Sequence, residues 1–205
     1  MRKSTGAVLA VAGVAVLAST GGCSLINDLT GGHKSGAEAI TRQLQSMPGI
    51  STVDLDYTHN ITVGELIYFR AEVASSATPE QAGAAAKTFM EQGLRKDLDR
   101  ANSTELTLTY PLGGSRPNYS VRSNSAAWVR LESGWDLTLV ADTVATWLSA
   151  ARSPIVESVR TATATSSDTN SFATTVTVRP EATSAQVEAL KEQVPGLRDA
   201  TWKRS

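Results

Sequence analysis

The residues EVASSATPEQA, Glu72 to Ala82, return 105 positions later as TVRPEATSAQV, Thr177 to Val187. In both places an alternating apolar run ends, Ala-Thr follows, and a Gln stands three residues after the Thr. A Thr at a helix cap answered by Gln at the third helical position is a capping box, which satisfies two otherwise unpaired backbone donors at a helix start. Val73 and Val178, Thr78 and Thr183, and Gln81 and Gln186 all keep the same 105-residue spacing. Self-similarity at a fixed period marks one supersecondary unit used twice. A chain built this way is expected to fold as two copies of the same short order of elements, chance convergence of a common strand-to-helix turn being the alternative.

In the first copy a helix is expected from about Ala37, with Ile40, Leu44 and Met47 on one face, stopped by Pro48-Gly49. Val53, Leu55 and Tyr57 then alternate with Asp54, Asp56 and Thr58, the period of a half-buried strand. After a turn near residues 60–64, Ile67, Phe69, Ala71 and Val73 alternate again. The helix opened by Thr78 and Pro79 continues to about Arg100, with Ala82, Ala86, Phe89 and Gly93 inward, and ELTLTY from Glu105 to Tyr110 reads as a closing strand.

The second copy repeats the order. Leu137, Val140, Val144, Trp147, Leu148 and Ala151 make a helical stripe ended by Ser153-Pro154. Ile155 to Ala164 and Ser171 to Pro180 read as strands, Val187, Leu190 and Val194 as a helix face, and Asp199 to Trp202 as a last short strand. Upstream, ISTV from Ile50 answers VESV from Val156 at 106, a slip of one residue. The expected class is α+β: two tandem αββαβ units, each a small mixed or antiparallel sheet against two helices. Residues 37–112 form the first unit, 113–136 a turn-rich linker with one extra strand around Tyr119 to Arg122, and 137–205 the second unit.

LQSMPGISTVDL and LIYFRAEVASSATPEQA in the first copy, with TTVTVRPEATSAQVEALKEQVPGLRDATW in the second, resemble the BON domain, a small αββαβ module of bacterial envelope proteins. The resemblance implies contact with membranes or envelope components. It implies no chemistry.

The start of the chain carries an address. Arg2 and Lys3 precede the apolar stretch from Ala7 to Ala18, which leads to STGGC ending at Cys23. That is the order of a secretory signal, and its apolar run is far short of the ~20 residues that cross a bilayer as a helix. Gly21, Gly22 and Cys23 resemble the lipobox of bacterial lipoproteins, with Thr20 where that motif carries Leu. The resemblance implies removal of residues 1–22, lipid on Cys23, and a cell-membrane protein facing the extracytoplasmic side. An ordinary secretory signal is the alternative. Residues 23–36, with Gly31, Gly32 and Gly36 among polar neighbours, read as a flexible tether. Cys23 is the single cysteine, so the domain has no internal disulfide and must stand on its core.

Catalytic residue types are few. The net charge of -1, with both signs interspersed, lacks the basic footprint of a nucleic-acid binder. No nucleophile elbow, phosphate loop, zinc-protease helix or dinucleotide fingerprint occurs, and neither a metal site nor a cofactor is expected. Asp54, Asp56 and His59 are the best titratable cluster, against the plainer reading that strand alternation puts the aspartates in solvent and His59 on a loop. His33 falls in the tether.

Trp128, Trp135, Trp147 and Trp202 all lie in the second half. Trp147 belongs to an apolar stripe and reads as core. Trp128 and Trp135 lie in the irregular segment, where core filling is the commoner fate. With Arg130 they are also the first candidates for a partner surface, since aromatics and Arg are favoured at interfaces. The expected function is a membrane-anchored, non-catalytic envelope lipoprotein acting as a binding or structural module. Its expected partners are the membrane, through the lipid, and envelope lipid, cell-wall material or another envelope protein. A lipid or small-molecule carrier with an apolar cavity is the alternative, and an enzyme with a site near His59 the second.

Overall fold

The computed structural model describes residues 32–111, 125–166 and 169–205. The signal segment, Cys23, most of the tether and the strand expected around Tyr119 to Arg122 lie outside them. The domain begins at His33. Its elements are α1 (Lys34–Gln45), β1 (Ile50–Asn60), β2 (Gly64–Val73), α2 (Pro79–Arg95), β3 (Ser103–Tyr110), β4 (Ser125–Arg130), α3 (Leu137–Ala151), β5 (Val156–Ser166), β6 (Thr169–Val178), α4 (Ser184–Gln193) and β7 (Thr201–Arg204). This is an α+β fold in which αββαβ occurs twice.

Both capping boxes form. Thr78 accepts from the Gln81 amide while the Gln81 side chain accepts from the Thr78 amide, and Thr183 and Gln186 do the same. The turns leading into them also match: the Ala74 amide donates to Gly49 O and the Arg179 amide to Ile155 O, each at 2.9 Å. The recurring Ala of Ala-Thr is Ala77 or Ala182, and both are buried under their turn.

All seven strands join one sheet in chain order. Within each copy the first pair is antiparallel (β1 with β2, β5 with β6) and the second parallel (β2 with β3, β6 with β7). Even the register irregularities coincide, between Ile50 and Thr52 and between Val156 and Ser158. The one-residue slip falls in the hairpins: three residues separate β1 from β2, and two separate β5 from β6.

The segment expected as a linker holds the centre of the sheet. Ser125–Arg130 pairs antiparallel with β3 and parallel with β5, so what looked like two small sheets is continuous through β4. Six residues including Ala126 and Ala127 are a weak strand signal, because alanine is depleted in strands. Two waiting edges supply the hydrogen bonds that local propensity does not, and an unpaired edge is itself a liability.

All four helices bury residues in one core on one face of this sheet. Helices α2 and α3 meet at their backbones: a Cβ added to Gly83 would stand 2.5 Å from Ala141 O. Since β2 and β3 run opposite to β4 and β5 while α2 and α3 share a face, the two crossovers have opposite hand. One of them is therefore the uncommon left-handed kind. Helix α3, which leads the second copy, packs against β4 as well as β5.

Strands β3, β5 and β6 differ from expectation by one or two residues at their ends, and three further limits differ for a visible reason. Helix α1 starts at Lys34, inside the residues assigned to the tether, because His33 is held by Glu65 and Gly36 packs on Lys96 and Leu98. Helix α2 stops at Arg95 rather than Arg100: Asp97 takes the left-handed conformation and a 3-10 turn, Leu98–Arg100, buries Leu98. The last strand is Thr201–Arg204, two residues later than expected, after a turn that buries Leu197.

Candidate functional site

Strand alternation sends one set of side chains to the core and the other to the opposite face of the sheet. Among the described residues that second face carries no helix. The register aligns its side chains in rows across the strands. One row runs Arg70, Thr107, Trp128, Ala162 and Ala173, and another Glu72, Thr109, Ala126, Arg160, Thr175 and Thr201. A third aligns Tyr68, Glu105 and Arg130.

Trp128 is thus a large side chain near the middle of a face that also carries Tyr68, Arg70, Glu72, Glu105 and Arg160. Its row neighbours are Thr107 and Ala162, too short to cover an indole, and Trp128 remains partly exposed. Its strand neighbours Ala127 and Val129 point the other way and are fully buried. Arg130 is exposed on the same face as Trp128, its Nε 3.2 Å from Glu132. Arg70 lies beyond Thr107 and pairs with Asp56 at 3.2 Å. At the lower end of the face a shallow open depression of about 380 Å³ is lined by Ser158, Arg160, Thr175, Thr177, Lys203 and Ser205. A smaller one, about 210 Å³, lies on the other side of β7 beneath α4, beside Val187 and Trp202.

Trp135 does not join this face. It sits just before the α3 cap Asp136 and is 8% exposed, its ring 4.9 Å from that of Phe172 on the core side of β6. The expected surface of Trp128, Trp135 and Arg130 therefore separates: β4 presents Trp128 and Arg130 outward, while the turn into α3 folds Trp135 inward. The Trp135 indole N–H is buried without a hydrogen-bond partner. Trp147 is core, its indole N–H donating to Val159 O at 3.3 Å. Tyr68, Arg160 and Lys203 were missed as face residues, although the alternation of Ile67 with Tyr68 carried the signal for the first.

Asp54, Asp56 and His59 are not brought together. The two aspartates point to the open face and are exposed, whereas His59 has the opposite parity and stands across from Glu65. A different titratable group assembles instead. The carboxylate of Glu65, almost wholly buried, accepts hydrogen bonds from Tyr57 Oη at 2.6 Å and from His33 Nδ1, and the Glu65 amide donates to Asn102 Oδ1 at 2.9 Å. Burial alone would raise its pKa. The hydrogen bonds from His33 and Tyr57, with the imidazoles of His33 and His59 nearby, outweigh that and hold Glu65 below the usual carboxylate range. The Tyr57 phenol is pushed well above its ordinary value, by burial first and then by its bond to the Glu65 carboxylate. His33 is thereby the residue that ties the start of the domain to the start of β2. Among the described residues no cluster of three or more His, Cys, Asp or Glu side chains could hold a metal ion.

Comparison of the chain with known protein families, with curated proteins and with solved structures finds no match. No described helix is long and apolar enough to cross a membrane.

Proposed function

We propose that this chain is a lipid-anchored, non-catalytic envelope protein whose domain acts as a binding or structural module on the extracytoplasmic side of the cell membrane, with the open sheet face as its contact surface. The observation that carries the reading is Trp128, held partly exposed at the centre of that face with Arg130 beside it and the short side chains of Thr107, Ala126 and Ala162 next to it. A large aromatic standing above short neighbours offers apolar contact area at little cost in conformational entropy, and interfaces concentrate their energy on such residues. The basic start, short apolar run and Gly21-Gly22-Cys23 ending support the anchor. The αββαβ order, present twice, supports the likeness to the BON module. The filled core favours a contact face over a carrier cavity, since Trp147, Phe69, Phe89 and Met90 are fully buried between helices and sheet. Envelope lipid, cell-wall material and another envelope protein are the partners this surface is proposed to meet.

Co-sedimentation of Trp128→Ala and Arg130→Gln proteins with purified cell wall and with vesicles tests the face. Loss of co-sedimentation with an unchanged melting temperature supports it; unchanged co-sedimentation removes it. Labelled fatty acid incorporated by the wild type and not by Cys23→Ala tests the anchor independently.

A further inference from the structure

The large apolar side chains that the described residues leave exposed are Ile61, Val63 and Leu139. All three lie at one end of the domain. Ile61 and Val63 form the turn between β1 and β2, and Leu139 is in the first turn of α3, which starts at the same end because Trp135 packs on Phe172 near the start of β6. The chain joins the domain at that end too, since His33 bonds to Glu65, the second residue of β2.

We infer that the β1–β2 turn is a membrane-contacting tip, which seats Ile61 and Val63 in the bilayer surface and stands the sheet with its hairpin end down. This inference rests on the lipid anchor at Cys23. About ten residues connect Cys23 to the domain, and fully extended they reach about 35 Å. The eleven residues of β1 span about the same length. To bring the opposite end of the sheet to the bilayer, the connection would have to run the length of the domain with nothing to spare; the hairpin end needs almost none of it.

The tip is built to hold its shape. Asn60 Oδ1 accepts from the amides of Thr62 at 3.0 Å and Val63 at 2.8 Å. Gly64 takes a left-handed conformation, and a Cβ there would stand 2.0 Å from Asn102 Oδ1. Of the cations at this end, Arg100 pairs with Asp97 at 3.6 Å and Arg130 with Glu132 at 3.2 Å, while Lys34 and Lys96 have no ion-pair partner among the described residues; the contact inferred is the apolar one made by Ile61 and Val63. Two side chains are too few to recruit a protein from solution. On a domain already held at the surface they need only select an orientation, because tethering makes the second contact intramolecular.

The test uses the full-length lipidated protein in neutral phosphatidylcholine vesicles carrying a lipid-borne quencher. Cys23 is the single cysteine and is capped by lipid, so Thr62→Cys places one fluorophore on the tip and Ser76→Cys one at the opposite end. Quenching at 62 and not at 76, lost when Ile61→Asp and Val63→Asp are added while the protein still floats with the vesicles, is the expected result. Equal quenching at 62 and 76 in floating protein overturns the tip and leaves the anchor standing. Protein that does not float and whose Cys23 reacts with maleimide overturns both.

Discussion

Tyr57 Oη donates a 2.6 Å hydrogen bond to the nearly buried carboxylate of Glu65, which His33 reaches from the other side. Glu65 lies below its usual range in the folded chain, so its contribution to stability is present above about pH 4.5 and disappears as pH falls through the folded value. Tyr57 is shifted upward, so its contribution is present below about pH 10 and is lost as pH rises beyond that. Urea midpoints against pH should show Glu65→Gln destabilised at neutral pH, with the gap to wild type closing in acid. Tyr57→Phe should cost about 1–3 kcal/mol at neutral pH, the worth of a hydrogen bond to a charged group, with its gap closing above pH 10. Gaps independent of pH would mean that neither group is tuned by the other.

Gly83→Ala should destabilise the domain although alanine is the better helix former by ~1 kcal/mol. The added methyl meets Ala141 O, a backbone atom that no rotamer change can move, so α2 and α3 must separate. A cost of about 1–3 kcal/mol is expected from overpacking, read as a lower urea midpoint with unchanged slope.

At Trp135 the shape of the replacement should decide the outcome. Trp135→Ala empties the space against Phe172 and should cost about 3–5 kcal/mol. Trp135→Phe keeps a ring there and removes the unpaired buried N–H, so it should be clearly milder. Neither change should alter co-sedimentation with cell wall except through unfolding, because Trp135 is not on the open face.

The two capping threonines are equivalent in sequence but not in consequence. Each Thr→Ala should weaken its helix by about 1 kcal/mol. Helix α2 buries seven residues at the centre of the fold, so Thr78→Ala should lower the global melting temperature. Helix α4 buries Leu190 alone, so Thr183→Ala should appear first as faster amide hydrogen exchange within residues 184–193.

What the sequence determined by itself was whatever short-range physics writes into neighbouring residues. The paired capping boxes, the 105-residue echo and the period-two runs at Val53 to Tyr57, Ile67 to Val73 and Phe172 to Val178 were enough for αββαβ twice, because caps and alternation act within a few positions. The class of β4, the fate of Trp135 and the role of His33 depended on partners far along the chain. Ser125–Arg130 becomes a strand because β3 and β5 each present an edge to it, and that placement turns Trp128 outward. Trp135 and His33 occupy similar positions, just ahead of the leading helix of each copy. Tertiary structure gives the first an aromatic partner in Phe172 and the second a carboxylate in Glu65. Contacts between residues fifteen or more positions apart leave no periodicity to read, and only closing the sheet decides them.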